Sequence, residues 1–157
     1  MADLLLYESG SGGEANKLSN DLELTGGIFN QVYLALFGGN PGFITSNLTP
    51  ESEQNFDWWG NNLFFNNDPD SQFNSNTEHI LNTTSLTSRS REIIKGFVLK
   101  DLQFLTTLAE VNAEVFIIDN DKVRIDIKLK EPNNTQEKQF QFIWDSTKSE
   151  LIENRII

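Results

Sequence analysis

Lys122-Val123-Arg124-Ile125-Asp126-Ile127-Lys128-Leu129-Lys130 sets charged and apolar residues in alternation. Successive side chains of a β-strand point to opposite faces. The stretch therefore predicts a strand with Val123, Ile125, Ile127 and Leu129 on a buried face and charges on a wet one. Such a strand needs neighbours. Glu114-Val115-Phe116-Ile117-Ile118-Asp119 supplies one, joined to it through the turn Asp119-Asn120-Asp121. Pro132-Asn133-Asn134 turns the chain again. Gln139-Phe140-Gln141-Phe142-Ile143-Trp144-Asp145 is then a third strand, with Phe140, Phe142 and Trp144 on one face opposite Gln141 and Ile143. Short connections make neighbouring strands antiparallel. Residues 146–157 read as a tail with apolar ends at Leu151, Ile152, Ile156 and Ile157.

Working outward, a helix is expected from Thr87 or Ser88 to about Leu108. Ile93, Ile94, Phe97, Val98, Leu102 and Leu105 form its apolar stripe. Gly96 interrupts it at a cost of ~1 kcal/mol relative to alanine and is read as a mark of close packing against another element. A second helix is expected at about residues 27–37, where Ile28, Phe29, Val32, Tyr33, Leu36 and Phe37 follow helical spacing. Gly38-Gly39 and Pro41-Gly42 end it. Ahead of it, residues 3–8 and the alternation Asp21-Leu22-Glu23-Leu24-Thr25 read as two strands of an antiparallel ribbon.

Residues 40–86 are rich in Asn, Ser, Thr and Asp and read as one long polar loop. A structureless loop of that length inside a compact domain is unusual, so it is functional or draped on a partner. It contains Phe56-Asp57-Trp58-Trp59-Gly60-Asn61 and Leu63-Phe64-Phe65. Two readings stand for these aromatics. They fold back onto the core, or Trp58, Trp59 and Gly60 anchor a neighbouring protein, since Trp is enriched at interface hot spots.

The expected architecture is a single α+β domain over 1–157, with two main helices packed on a mostly antiparallel sheet. The expected core is Leu22, Leu24, Val32, Leu36, Ile94, Val98, Leu102, Val115, Ile117, Ile125, Ile127 and Phe142. At 157 residues the chain is long enough for a core without staples. It has no cysteine and His79 is its one histidine, so thiolate or histidine-held metals are not expected. Twelve basic residues stand against 23 acidic ones, a net charge of -11, which argues against a nucleic-acid partner. No stretch approaches the ~20 apolar residues that span a bilayer, and Met1-Ala2-Asp3 opens without a basic region, so neither a membrane role nor a signal peptide is expected.

Catalytic constellations are missing from the pattern. There is no Gly-x-Ser-x-Gly, no phosphate loop and no dinucleotide fingerprint, and no cofactor is expected. Paired carboxylates that cleave a glycosidic bond have no sequence spacing rule. Glu51, Glu53, Asp57, Asp68 and Asp70 are therefore kept as candidates for a cell-wall glycosidase, beside the simpler role of solvating the loop. A small acidic binding module with exposed tryptophans is a further alternative.

In order along the chain stand Asp3-Leu4-Leu5-Leu6, Asp21-Leu22-Glu23-Leu24, the helix Ile28–Phe37, Trp58-Trp59-Gly60, the helix at about 88–105, and Phe140-Gln141-Phe142-Ile143-Trp144-Asp145. This series resembles the short tail-baseplate proteins of Mu-like phages, a family similar to the sheath initiators, wedge proteins of contractile tails. The Trp-Trp-Gly step and the Phe-x-Phe-x-Trp-Asp run carry it best. The chain departs from the pattern in its Asn/Ser-rich loop and in lacking a Glu-Pro-Arg motif, since Glu131-Pro132 is followed by Asn133. The resemblance implies a non-enzymatic virion protein made in the host bacterial cytoplasm and placed in multiple copies in a symmetric baseplate. Its implied partners are the tail sheath protein, baseplate wedge proteins, and tail tube or hub proteins. It also implies that a sheet in region 114–145 receives a strand from the first sheath subunit. Arg124, Lys128, Phe140, Gln141, Phe142 and Trp144 are the candidate partner-binding residues there.

Overall fold

The computed structural model describes residues 2–4, 6–7, 14–15, 17–18, 21–22, 24–40, 58–65, 68–132 and 136–157. The fold class is α+β, and every strand pair among the described residues is antiparallel. The chain forms two compact units, Met1–His79 and Ile80–Ile157.

The first unit opens with six short strands: β1 (Ala2–Leu4), β2 (Leu6–Tyr7), β3 (Glu14–Ala15), β4 (Lys17–Leu18), β5 (Asp21–Leu22) and β6 (Leu24–Gly26). The expected ribbon exists in its outer part, where β1 pairs with β6 and sets Asp3 opposite Thr25. Its inner part differs. Leu6–Tyr7 pairs with Glu14–Ala15, and β4 pairs with β5 across a two-residue connection. These local pairings close short loops, which costs less chain entropy than a long ribbon.

α1 (Gly27–Phe37) follows at once and lies beside β1 and β6. Phe29, Asn30 and Val32 through Phe37 are all buried. A helix apolar nearly all round is a core helix. Asn30 is its buried polar exception and donates from Nδ2 to the Leu4 carbonyl, tying helix to strand. The helix stops as the glycines require. The Gly38 N–H donates to the Leu34 carbonyl at 2.8 Å, and Gly39 takes φ 79°, the left-handed conformation that glycine adopts without a Cβ clash.

The region read as one long loop contains α2 (Trp59–Phe64), a 3-10 turn at Pro69–Ser71, and α3 (Thr77–Thr83). Each is too short to show apolar periodicity. Residues 41–57 lie outside the described part.

Past Thr83 the second unit continues with α4 (Ser88–Asp101) and a 3-10 turn at Gln103–Thr107. Thr87 caps it. Its Oγ1 accepts from the Ser90 N–H at 3.2 Å, and the Ser90 Oγ accepts from the Thr87 N–H at 2.6 Å. Ile94 and Val98 are buried where the helix packs against the next strand. Gly96 is on the outer side, and a Cβ built there meets nothing within 4 Å. The close packing expected at Gly96 is therefore not found within the described residues.

Four strands complete the unit: β7 (Glu110–Ile117), β8 (Lys122–Lys130), β9 (Lys138–Asp145) and β10 (Glu150–Ile156). They form an antiparallel sheet in the order β10-β9-β8-β7. The register sets Val115, Ile125 and Phe142 in one row and Ala113, Ile127 and Phe140 in the next, and all six are buried. Of the expected core, Val32, Leu36, Ile94, Val98, Leu102, Val115, Ile125, Ile127 and Phe142 are buried. Ile117 is half-buried, and the side chains of Leu22 and Leu24 lie outside the described part. The stretch 146–157, read as a tail, is a hairpin turn and the strand β10.

Candidate functional site

The sheet has two faces and two edges, and these decide where the candidate residues can act. Phe140, Phe142 and Trp144 point into the core and are at most 2% exposed. Their side chains hold the sheet together. On the opposite face a polar row crosses three strands. The Arg155 guanidinium donates to Oε1 of Gln141, and the Gln141 Nε2 donates to Oδ1 of Asp126 at 2.9 Å. The other Asp126 oxygen is 3.2 Å from the Arg124 Nε, and the Arg124 guanidinium sits 4.4 Å from the centre of the Phe116 ring. Gln141 is only 6% exposed in this row. A buried amide needs partners on both sides, so the row fixes strand register. Arg124 and Gln141 are thus engaged within the chain, while Lys128 is exposed beside Asn112 and Gln139.

Both inner strands, β8 and β9, are paired on each side. Among the described residues the edge strands of this sheet are therefore β7 and β10, outside the positions Arg124, Lys128 and Gln141. The two edges differ. On β7 the exposed residues, Glu110, Asn112 and Glu114, are polar, and Ala113 and Val115 face the core. On β10, Ile152 and Ile156 are 42% and 54% exposed. Among the described residues no strand pairs with the outer side of β10. The Ile157 N–H donates inward to the Gln139 carbonyl at 2.9 Å. Backbone groups alternate sides along a strand, so those of Ile156 point outward. A bulge between Leu151 and Glu153 leaves Ile152 as the extra residue.

The end of the sheet near the β7–β8 turn is acidic. Asp121 holds Lys122 Nζ at 3.2 Å and accepts from the Thr147 hydroxyl at 3.2 Å. The hydrogen bond from Lys122 lowers the Asp121 pKa, and the same bond raises that of Lys122. Asp145 Oδ1 accepts from the N–H groups of Thr147 and Lys148 at 3.0 and 3.1 Å and shapes the β9–β10 turn. Between α4 and β7 a cleft of about 200 Å³ is lined by Arg91, Glu92, Lys95, Glu114, Val115 and Phe116.

In the first unit, Trp58 is half-buried among phenylalanines. Its ring centre lies 5.8 Å from Phe73, edge-on, and 6.3 Å from Phe64. Gly60 is buried beneath the indole, and a Cβ there would come within 2.4 Å of the ring. Here the Trp-x-Gly spacing has a packing reason. Asn61 is fully buried. Its Nδ2 donates to the Phe73 carbonyl and its Oδ1 accepts from the Phe73 N–H, both at 2.9 Å. The segment is pinned to the end of α1, where the N–H groups of Trp58 and Ser75 donate to the Gly38 and Gly39 carbonyls and the Ser75 hydroxyl donates to the Leu36 carbonyl. Helix-end carbonyls need such partners. Trp58 thus follows the fold-back reading. The side chain of Trp59 lies outside the described part.

Of the five candidate acids, only Asp68 and Asp70 fall within the described residues. Glu51, Glu53 and Asp57 lie outside the described residues, and Asp68 and Asp70 are exposed. Asp68 accepts from the Ser71 hydroxyl at 2.6 Å. Among the described residues no group of three or more His, Asp and Glu could hold a metal, and no helix is long and apolar enough to cross a membrane. No family model, curated protein or solved structure matches this chain.

The edge strand β10 is not legible in the sequence. Its bulge shifts the alternation after Ile152, which hides the strand pattern in Glu150-Leu151-Ile152-Glu153-Asn154-Arg155-Ile156.

Proposed function

We propose that this chain is a non-catalytic structural component of a contractile-tail baseplate that nucleates the sheath. The edge strand β10 offers main-chain groups to an arm of the first sheath subunit, and the arm extends the sheet by one strand. The remaining surfaces meet wedge and tube or hub proteins, and multiple copies surround the tube. One observation carries the choice of edge. β10 is one of the sheet's two edge strands among the described residues, and it carries the apolar Ile152 and Ile156 open to solvent where the exposed residues of β7 at 110, 112 and 114 are polar. Exposed edges of this kind pair with added strands. The assignment to a tail rests on the motif series and its family resemblance.

Proline tests the docking step because it removes a backbone donor. Ile156→Pro deletes an outward N–H at an exposed position. The variant should fold, enter baseplates and leave naked tubes in electron micrographs. Full-length sheaths on the folded variant would contradict docking at β10.

A further inference from the structure

The residues of the exposed edge read alike from either end. Leu151-Ile152-Glu153-Asn154-Arg155-Ile156-Ile157 runs apolar, apolar, acid, amide, base, apolar, apolar. Two copies of such a strand laid antiparallel about Asn154 place Glu153 opposite Arg155 of the second copy, twice. In the same arrangement Ile156 and Ile157 of each copy lie toward the bulged apolar step Leu151-Ile152 of the other. Unlike charges and apolar pairs directly opposite each other stabilise antiparallel strands, and like charges destabilise them.

Three structural facts fit that register. Glu153 and Arg155 lie on one face of β10, where Arg155 Nη1 is 3.1 Å from Glu153 Oε1 and both side chains are about half exposed, at 41% and 56%. In the pair of strands these would become four charges of alternating sign. Ile152 and Ile156 are exposed, so pairing removes their apolar surface from water. The backbone of Ile156 points outward, and so does that of Asn154 two residues before it on the regular side of the bulge, so the twofold falls on a hydrogen-bonded position of the new ladder.

We infer that β10 pairs with β10 of a second copy of this chain across a twofold axis, joining two four-stranded sheets into one of eight strands. The interface is isologous, as a twofold dimer requires. It goes beyond the sheath reading, and it occupies the same edge. In the free protein each copy covers the other's adhesive border, and the dimer must open before β10 accepts a sheath arm. The contact area is that of a single strand pair, so the dimer is weak and reversible, with a Kd of roughly 10–100 µM.

Sedimentation equilibrium of the purified full chain, with no sheath protein present, tests this inference apart from the sheath reading. The wild type should dimerise with increasing concentration. Arg155→Glu sets Glu against Glu, Glu153→Arg sets Arg against Arg, and each should weaken dimerisation at least tenfold. Mixing the two single variants should restore a dimer, because each strand then meets its charge complement. The double exchange, Glu153→Arg with Arg155→Glu, should dimerise like the wild type. Ile156→Lys, at an exposed position, should be monomeric while keeping the wild-type circular dichroism spectrum. A wild type monomeric up to about 1 mM overturns the proposal. So does a dimer indifferent to the single charge reversals, or single variants whose mixture stays monomeric.

Discussion

The sheet of the second unit and the segment 58–78 of the first both bury amide side chains, but they are built in different ways. In the sheet, apolar alternation does most of the work, and Gln141 adds a tie between strands that the pattern already aligns. In the segment there is almost no pattern. Asn61 replaces a missing strand partner by holding both backbone groups of Phe73, and the Ser75 hydroxyl fills a helix-end carbonyl. The sheet is specified by many interchangeable apolar residues. The segment is specified by a few polar atoms, each without a substitute.

The largest expected effect lies in the sheet. Phe142 is fully buried between Ile125 and the outer strand. Phe142→Ala should lower stability by about 3–5 kcal/mol in chemical denaturation. A loss below about 1 kcal/mol would mean that the row around Phe142 is not the core.

Next comes Asn61→Ala. It leaves the Phe73 N–H and carbonyl without their partner and should cost about 2–3 kcal/mol, with a changed Trp emission as Phe73 moves off Trp58. Asn61→Asp keeps the acceptor but sets an oxygen against the Phe73 carbonyl in a buried place, so it should cost at least as much near neutral pH. Equal stability of the alanine variant and the wild type would remove the distinction between the two regions.

Two glycines sharpen it further. Gly60→Ala drives a Cβ into the packed Trp58 ring and should destabilise by about 1–3 kcal/mol. Gly96→Ala enters open space inside a helix and should stabilise by up to about 1 kcal/mol. Opposite shifts in melting temperature are expected. A destabilising Gly96→Ala would point to a neighbour beyond the described residues.

How much was legible follows from the same contrast. The strand Lys122–Lys130, the helix Gly27–Phe37 and the Thr87 start of α4 carry their signals in the residues, as alternation, helical spacing and a cap. α2 and α3 were not legible, because a buried Asn61 or Ser75 looks like any loop residue until its partner is placed. The proposed docking edge lies one or two strands away from the residues that the alternation singles out. Arg124, Lys128 and Gln141 have the wet alternation of a surface, yet strand order puts them inside the sheet. The bulge at Ile152 concealed the strand that forms the border.

The smallest expected effect is electrostatic. Asp121 is held below its ordinary value near 3.8 by the hydrogen bond from Lys122. Its contribution to stability is present above that value and is lost as pH falls through the lowered one. Lys122 is raised above 10.5 by the same bond, so its contribution is present below that pH and is lost as pH rises through the raised value. Both groups are partly exposed to solvent, so the changes should be slight. Asp121→Asn should flatten the acid limb of the melting curve and leave neutral pH little changed.

Neighbouring amides give the most direct test of docking at β10. The Ile157 N–H donates to Gln139, while the Ile156 N–H points away from the sheet at an exposed residue. Amide hydrogen exchange should be recorded on the dilute isolated chain and again with sheath subunits added. Fast exchange is expected at Ile156 and slower exchange at Ile157 in the isolated chain, with Ile156 becoming protected when sheath binds. Sheath binding that leaves the Ile156 amide exchanging as before would contradict docking at β10.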